Sequence, residues 1–314
     1  MPISVVINDK ESKINLRSNF GFYQIKLKME KNKKLGDFFT LKQGTKPYGS
    51  KDNKETELLS KVKYDESWEK AINGRNLGRY KILFEDDFVQ RSEDLHSCLP
   101  LNVVNGEKIY FQRMRKISLF PRLVASYDNE NIHGLYTCSV IFKESKSDLN
   151  LKYALCLLNS LLVNLWYKYF DTDIEIKLIS VKEIPIPDIS AEQQLPFIAK
   201  ADIMLATNKE LQELKQQLLQ LLQSNFPAVQ VNKKLEQWPS LSFAGFLKEL
   251  SKQKIKPALP QQAEWMNYFE EQRTKAATLQ NTIAATDKEI DKMVYQLYGL
   301  TAEEIKIVEG NEKE

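Results

Sequence analysis

The sequence predicts an α+β protein: a mostly β front part that encloses one buried helix, followed by a long antiparallel helical hairpin. Up to about residue 190, short runs of strand-forming residues alternate with Gly, Asn, Asp and Pro breakers. One apolar segment among them is too long to be a strand. Beyond residue 190, apolar residues recur every three or four positions through two long stretches. This change of texture divides the chain into 1–190 and 191–314.

The β-rich runs are KLGDFFTLKQG, GRYKILF, KIYFQRM, PRLVASYD and GLYTCSVIF. In KIYFQRMRKI the period of two places Ile109, Phe111, Arg113 and Arg115 on one face. The segment from Asp148 to Phe170 is apolar most of the way round, which predicts a single buried helix with Asp148 as its N-cap. Asn159 and Ser160, set among leucines, are expected to be hydrogen-bonded core polar groups. IKLISVKEIPIPDIS then reads as a last strand with an exit at Pro185–Pro187.

In the second part, Met204, Thr207, Leu211, Leu214, Leu218 and Leu221 mark the seam of a helix over about 191–224. A longer series (Trp265, Phe269, Gln272, Ala276, Leu279, Ile283, Thr286, Ile290, Met293, Leu297) marks a helix over about 261–298. Its steps of four and three amount to a 3.5-residue repeat, a coiled-coil-like pattern. Gly299 is placed to end that helix as a C′ residue. A proline-punctuated connector containing SFAGFLKEL joins the two, and they are expected to pack antiparallel as a spacer or docking region.

At 314 residues, 42% apolar and 28% charged, the chain can build two cores. It has no apolar run long enough to span a membrane. MPISVVINDKESK lacks the basic region and the apolar length of a signal peptide. Cys98, Cys138 and Cys156 are widely spaced and have only His96 and His133 for company. They form no zinc pattern and read as reduced thiols of a cytoplasmic protein. The net charge is only +3, but residues 1–35 carry eight Lys or Arg against three acids, and Arg113, Arg115, Lys116 and Arg122 form a second basic run. Such local concentrations can neutralise phosphates.

The residues for chemistry are missing from the sequence. It holds no P-loop and no Pro-Pro pair from which an amino-methylating loop could be built. Two histidines without a recognisable setting do not make a nucleophilic triad. Asp128 with Glu144-Ser145-Lys146 has roughly the spacing of a metal-dependent nuclease site, and Glu175-Ile176-Lys177 repeats the tripeptide. Such patterns arise by chance in chains rich in lysine and glutamate, and Lys143, Glu144 and Lys146 read better as charges of the solvated turn KESKSD. No enzyme is expected.

The order of segments carries a resemblance. KLGDFFTLKQGTKPYG, AINGRNLGRYKI, IYFQRMRKISLFPRLVASYD, YALCLLNSLLVNLWYKYF and VKEIPIPDIS follow one another as in the TaqI-like C-terminal specificity domain. QWPSLSFAGFLKEL, QAEWMNYFEEQR and IDKMVYQLYGLTAEEI are similar to the C-terminal tails of type IIG restriction–modification proteins. The resemblance implies a DNA target-recognition subunit or domain of a bacterial restriction–modification system. Double-stranded DNA and a partner N6-adenine methyltransferase would be its ligands. S-adenosylmethionine and Mg are expected on that partner, with no cofactor on this chain. The alternatives are a C-terminal piece of a single-chain restriction–methyltransferase and a coiled-coil dimerisation protein.

For such a protein the candidate DNA contacts are Gln43, Thr45, Lys46, Tyr48 and Lys51 in the loop after the first strand. Next come Arg75, Asn76 and Arg79 in the GRNLGRY segment, although an arginine there has Asp86 or Asp87 as an alternative partner. Arg113 and Arg115 suit phosphate or guanine.

Overall fold

A computed structural model describes residues 20–47, 58–92, 95, 97–144 and 147–310. They fall into two compact units, one holding the residues up to Asp202 and those from Glu289 onward, the other Ile203–Lys288. The α+β class read from the sequence holds: a sheet-rich region is followed by two long packed helices. No described helix is long and apolar enough to cross a membrane.

The first unit opens with α1 (Phe20–Met29), which buries Phe22, Ile25 and Met29 at helical spacing. β1 (Lys33–Lys34), a single helical turn α2 (Leu35–Phe38) and β2 (Thr40–Gln43) follow. Next are β3 (Leu59–Ser60), β4 (Trp68–Ile72), β5 (Leu77–Gly78), β6 (Lys81–Ile82) and β7 (Asp87–Gln90). After α3 (Leu101–Val104) the chain makes β8 (Lys108–Gln112), β9 (Ala125–Asp128), β10 (His133–Gly134) and β11 (Cys138–Phe142). Among the described residues, one sheet has the order β2-β11-β8-β9, antiparallel throughout, and another has β10-β4-β7-β3 with β10 parallel to β4.

Cys138, Val140, Phe142 and Tyr110 on one face of the first sheet pack with Ile72, Leu77 and Val104. Ile109, Phe111 and Ile141, whose side chains point to the other face, are buried as well, and α4 (Leu151–Asn159) packs on β8 and β9. The expected alternation along KIYFQRMRKI therefore does not separate a wet face from a dry one. β8 ends at Gln112, so Arg113 and Arg115 stand beyond the strand.

The single helix expected over 148–170 is two: α4, and α5 (Leu161–Phe170). Ser160 divides them by adopting an extended backbone, so that it ends the first and caps the second, its hydroxyl accepting from the Val163 amide. The N-cap of α4 is Asn150, whose side chain accepts from the Lys152 amide, and not Asp148. The expected last strand is mostly a short helix, α6 (Leu178–Lys182); only Pro185–Ile186 (β12) pairs, antiparallel with β1.

The remaining helices are α7 (Ala191–Asn225), α8 (Lys233–Glu236), α9 (Phe243–Lys252), α10 (Leu259–Leu297) and α11 (Ala302–Gly310). α7 belongs to the first unit as far as Asp202, and α10 rejoins it at Glu289. Two contacts define the antiparallel sense: in the second unit Phe226, just past the end of α7, lies 6.1 Å from Trp265 near the start of α10, while in the first Lys200 pairs with Glu289. The core of the second unit gathers Leu218 and Leu222 of α7, Trp238 and Phe246 of the connector, and Trp265, Phe269 and Ala276 of α10. The α7 seam steps from Leu218 to Leu222, leaving the expected Leu221 exposed. Gly299 (φ +63°) ends α10, its amide donating to Gln296 and the Leu300 amide to Tyr295, as anticipated for a C′ glycine.

Candidate nucleic-acid interface

The turn Gly134–Cys138, between β10 and β11, gathers three separated segments of the first unit. The Thr45 amide donates to the Gly134 carbonyl (2.8 Å) and the Gly44 amide to that of Cys138 (3.0 Å). A Cβ on Gly44 would lie 2.2 Å from the Leu135 oxygen, so only glycine lets the 43–46 segment come this close. From the second segment, the Gly74 amide donates to Thr137 Oγ1 (2.8 Å), which itself donates to Asn73 Oδ1. From the third, the Arg113 amide donates to the Thr137 carbonyl (3.0 Å) and its guanidinium to the Tyr136 carbonyl (3.2 Å).

Arg113 and the immediate sequence neighbours of Gln43, Lys46 and Arg75 thereby meet at one turn, although they are far apart in sequence; Lys46 itself exchanges backbone bonds with Ser97. Gln43 and Arg75 are exposed, and Lys46 is half-buried. Arg75 lies 3.6 Å from both Glu85 and Asp87, so the acid alternative weighed for this segment is realised at the surface. Arg113 is held by Glu175, with Nε and Nη2 at 2.9 and 2.8 Å from Oε1. Thr45 is fully buried, and its hydroxyl accepts from the Leu99 amide and lies 3.5 Å from His133 Nδ1. Asn76 is buried too, its Oδ1 accepting from the Asn73 amide. Tyr48 and Lys51 lie outside the described residues.

Two of the candidate arginines are placed away from the turn. Arg79 donates to the Asn159 carbonyl (2.7 Å) at the end of α4. Arg115 donates to the Pro121 carbonyl (2.7 Å) and to Gln112 Oε1 (3.1 Å). Burial, and then the neighbouring Arg122 charge, hold the Arg115 pKa below its ordinary value. Arg122 is buried and bridges the backbone carbonyls of Arg115, Lys116 and Asp173, again with its pKa lowered chiefly by burial. These guanidinium groups bind the 113–123 loop to the body of the unit. Around them Met114, Ile117, Leu119 and Ile174 are exposed apolar side chains.

Sequence reasoning missed Asn73, Tyr136, Thr137 and Glu175. Their position depends on hydrogen bonds between residues 23 to 64 apart in sequence, and Gly134-Leu135-Tyr136-Thr137 looks like strand in the sequence. A glycine two residues before a tyrosine was the one local hint of a turn.

The acids weighed for metal chemistry have other duties. Asp128 forms a buried ion pair with Lys108 at 2.6 Å and accepts the amides of Glu130 and Ile132. Glu175 holds Arg113, and Lys177 pairs with Asp173. Glu144 is exposed, and Lys146 lies outside the described residues.

Comparison with protein families matches residues 69–186 to the TaqI-like C-terminal specificity domain. Residues 190–294 match a family described as a domain of unknown function, DUF8810. A comparison with curated proteins finds no match. The first span takes in the GRNLGRY, IYFQRM and LLNSLL segments on which the resemblance rests and ends at Ile186 within IPIP, while KLGDFFTLKQGTKPYG precedes it.

Proposed function

With residues 69–186 matching a specificity domain, we propose that the chain is the DNA target-recognition part of a restriction–modification system and performs no chemistry itself. The observation that carries the reading is the meeting, at the Gly134–Cys138 turn, of Arg113 with the backbone of the segments that carry Gln43, Lys46 and Arg75. It offers amide and guanidinium groups able to read base edges, beside cations able to grip phosphates. Glu175 and Asp87 neutralise Arg113 and Arg75 in the free protein. Phosphates would replace those carboxylates, so each arginine changes partners and is not stripped of charge compensation.

In this reading residues 1–190 read the target, and 191–314 dock on a separate N6-adenine methyltransferase that brings S-adenosylmethionine and flips the base. Glu192, Lys209, Glu213 and Lys288 give the long helices a charged exterior suited to a polar protein interface. One set of recognition strands implies one asymmetric DNA sequence per chain.

Selection of bound duplexes from a randomised pool tests the proposal. A single asymmetric consensus is expected, together with methylation of that site when the methyltransferase is added. Equal recovery of all sequences would overturn the reading in favour of a structural helical protein.

A further inference from the structure

In the second unit the connector between the two long helices carries a charged surface of its own. Between residues 226 and 256 there are six lysines and two glutamates, with no arginine and no aspartate. Four of the lysines, Lys233 and Lys234 on α8 with Lys248 and Lys252 on α9, line an open cleft of about 460 Å³. Glu249 is buried at its base and takes Lys252 at 2.6 Å and Lys234 at 3.7 Å. Lys233 and Lys248 are exposed and form no ion pair with a carboxylate among the described residues. The cleft therefore keeps two uncompensated ammonium groups and two shared ones.

We propose that this cleft binds the phosphate backbone of duplex DNA without regard to sequence. Flexible ammonium groups act as point charges toward phosphate and do not provide the planar fork with which arginine reads guanine. The aromatic residues of the same segment are turned inward: Trp238 and Phe246 are fully buried in the core and Phe243 packs on them. They offer no platform for unstacked bases, which argues against single strands and for a duplex. No large exposed apolar side chain lies between residues 226 and 256, so the surface also lacks the wedge of a membrane-seeking helix. The choice of DNA rests on the recognition reading of the first unit; the choice of phosphate rests on the cleft alone.

The test uses the full chain and random-sequence duplex, with affinity measured across a salt series. Lys233→Gln/Lys248→Gln leaves the Glu249 pairs in place and should lower the salt slope by about two units, since each phosphate contact contributes about 0.9. Arg75→Gln/Arg113→Gln provides the matching change in the first unit. If only the arginine variant lowers the slope, the cleft proposal is overturned and the recognition reading stands. If only the lysine variant does, the cleft stands and the recognition face is misplaced. No duplex binding at low salt, or preference for RNA or anionic vesicles, overturns the cleft proposal. Reagent labelling of wild-type lysines, with and without duplex, needs no variant: Lys233 and Lys248 should be protected, and equal labelling would sink the idea.

Discussion

Lys108 Nζ lies 2.6 Å from Asp128 Oδ2, and neither side chain reaches solvent. The ammonium also donates to the carbonyls of Val104 (2.5 Å) and Gly106 (3.1 Å), so its three donors are matched by three acceptors. The residues face each other across the β8–β9 ladder. An acid that fits a nuclease spacing in the sequence is here a structural counter-ion.

Removing one partner leaves a buried charge uncompensated, which costs about 3–5 kcal/mol. Asp128→Ala is therefore expected to lower unfolding free energy by about that amount in denaturant titrations. Lys108→Met/Asp128→Leu should cost much less than the sum of the single changes. Additive losses would show that the two groups do not act as a pair.

Arg113 and Glu175 make a second pairing, this one at the rim. Glu175 is more exposed than its partner and competes with phosphate for the guanidinium. Glu175→Gln is expected to tighten binding of random duplex with little change in its salt slope, since the Arg113 contact is already made in the wild type, while Arg113→Ala flattens the slope by about one. Should Arg113 read guanine instead, Arg113→Ala would weaken only the selected sequence, by about 1–3 kcal/mol. Both outcomes are read in one anisotropy series with two duplexes.

His133 is buried between Glu69, which contacts Nε2, and Thr45. Burial is the largest influence and holds its pKa below the ordinary 6.5, against the pull of Glu69 and with Arg91 and Lys108 acting in the same direction as burial. The folded protein thus resists a proton that the unfolded chain accepts. The stabilisation is complete above the unfolded value near 6.5 and is lost as pH falls from there through the lower folded value. Stability should fall below pH 6.5, by up to about 1.4 kcal/mol per pH unit from this residue. His133→Gln should remove that component and leave a shallower profile between pH 7 and 5. Superimposable wild-type and variant profiles would exclude the histidine as its source.

How much of this was legible in the sequence follows from the range of the interactions. Gly299 and the seam of α10 depend on neighbours three or four positions away, and both were readable. Asn159 was recognisable as a core polar group because an amide among leucines must find partners. It does: its side chain pairs with both the amide and the carbonyl of Ala125, at 3.1 and 3.0 Å. The helix break at Ser160 was hidden, since a serine can cap a helix or sit within one. The Arg113–Glu175 pair and the turn that gathers the candidate interface join residues with no local relation, and no periodicity reports them. Arg115 illustrates the same limit: its charge suggested DNA, and its hydrogen bonds to Pro121 and Gln112 come from a loop whose path the sequence does not specify.

Phe269 offers the sharpest test of the second unit. It is fully buried where α10 meets the connector, with ring centroids 4.9 Å from Phe246, 5.6 Å from Trp238 and 5.7 Å from Phe243. Three aromatic neighbours at these separations cannot all follow a receding side chain, so truncation leaves a cavity as well as losing transfer energy. Phe269→Ala is expected to cost about 3–5 kcal/mol, and Phe269→Leu distinctly less. Because β8, β9 and β11 belong to the other compact unit, the loss should appear first in tryptophan fluorescence, where Trp238 and Trp265 report on this core. Amide-exchange protection of β8 and β11 should persist at the same denaturant concentration. Simultaneous loss of both signals would mean that the two units unfold as one cooperative body.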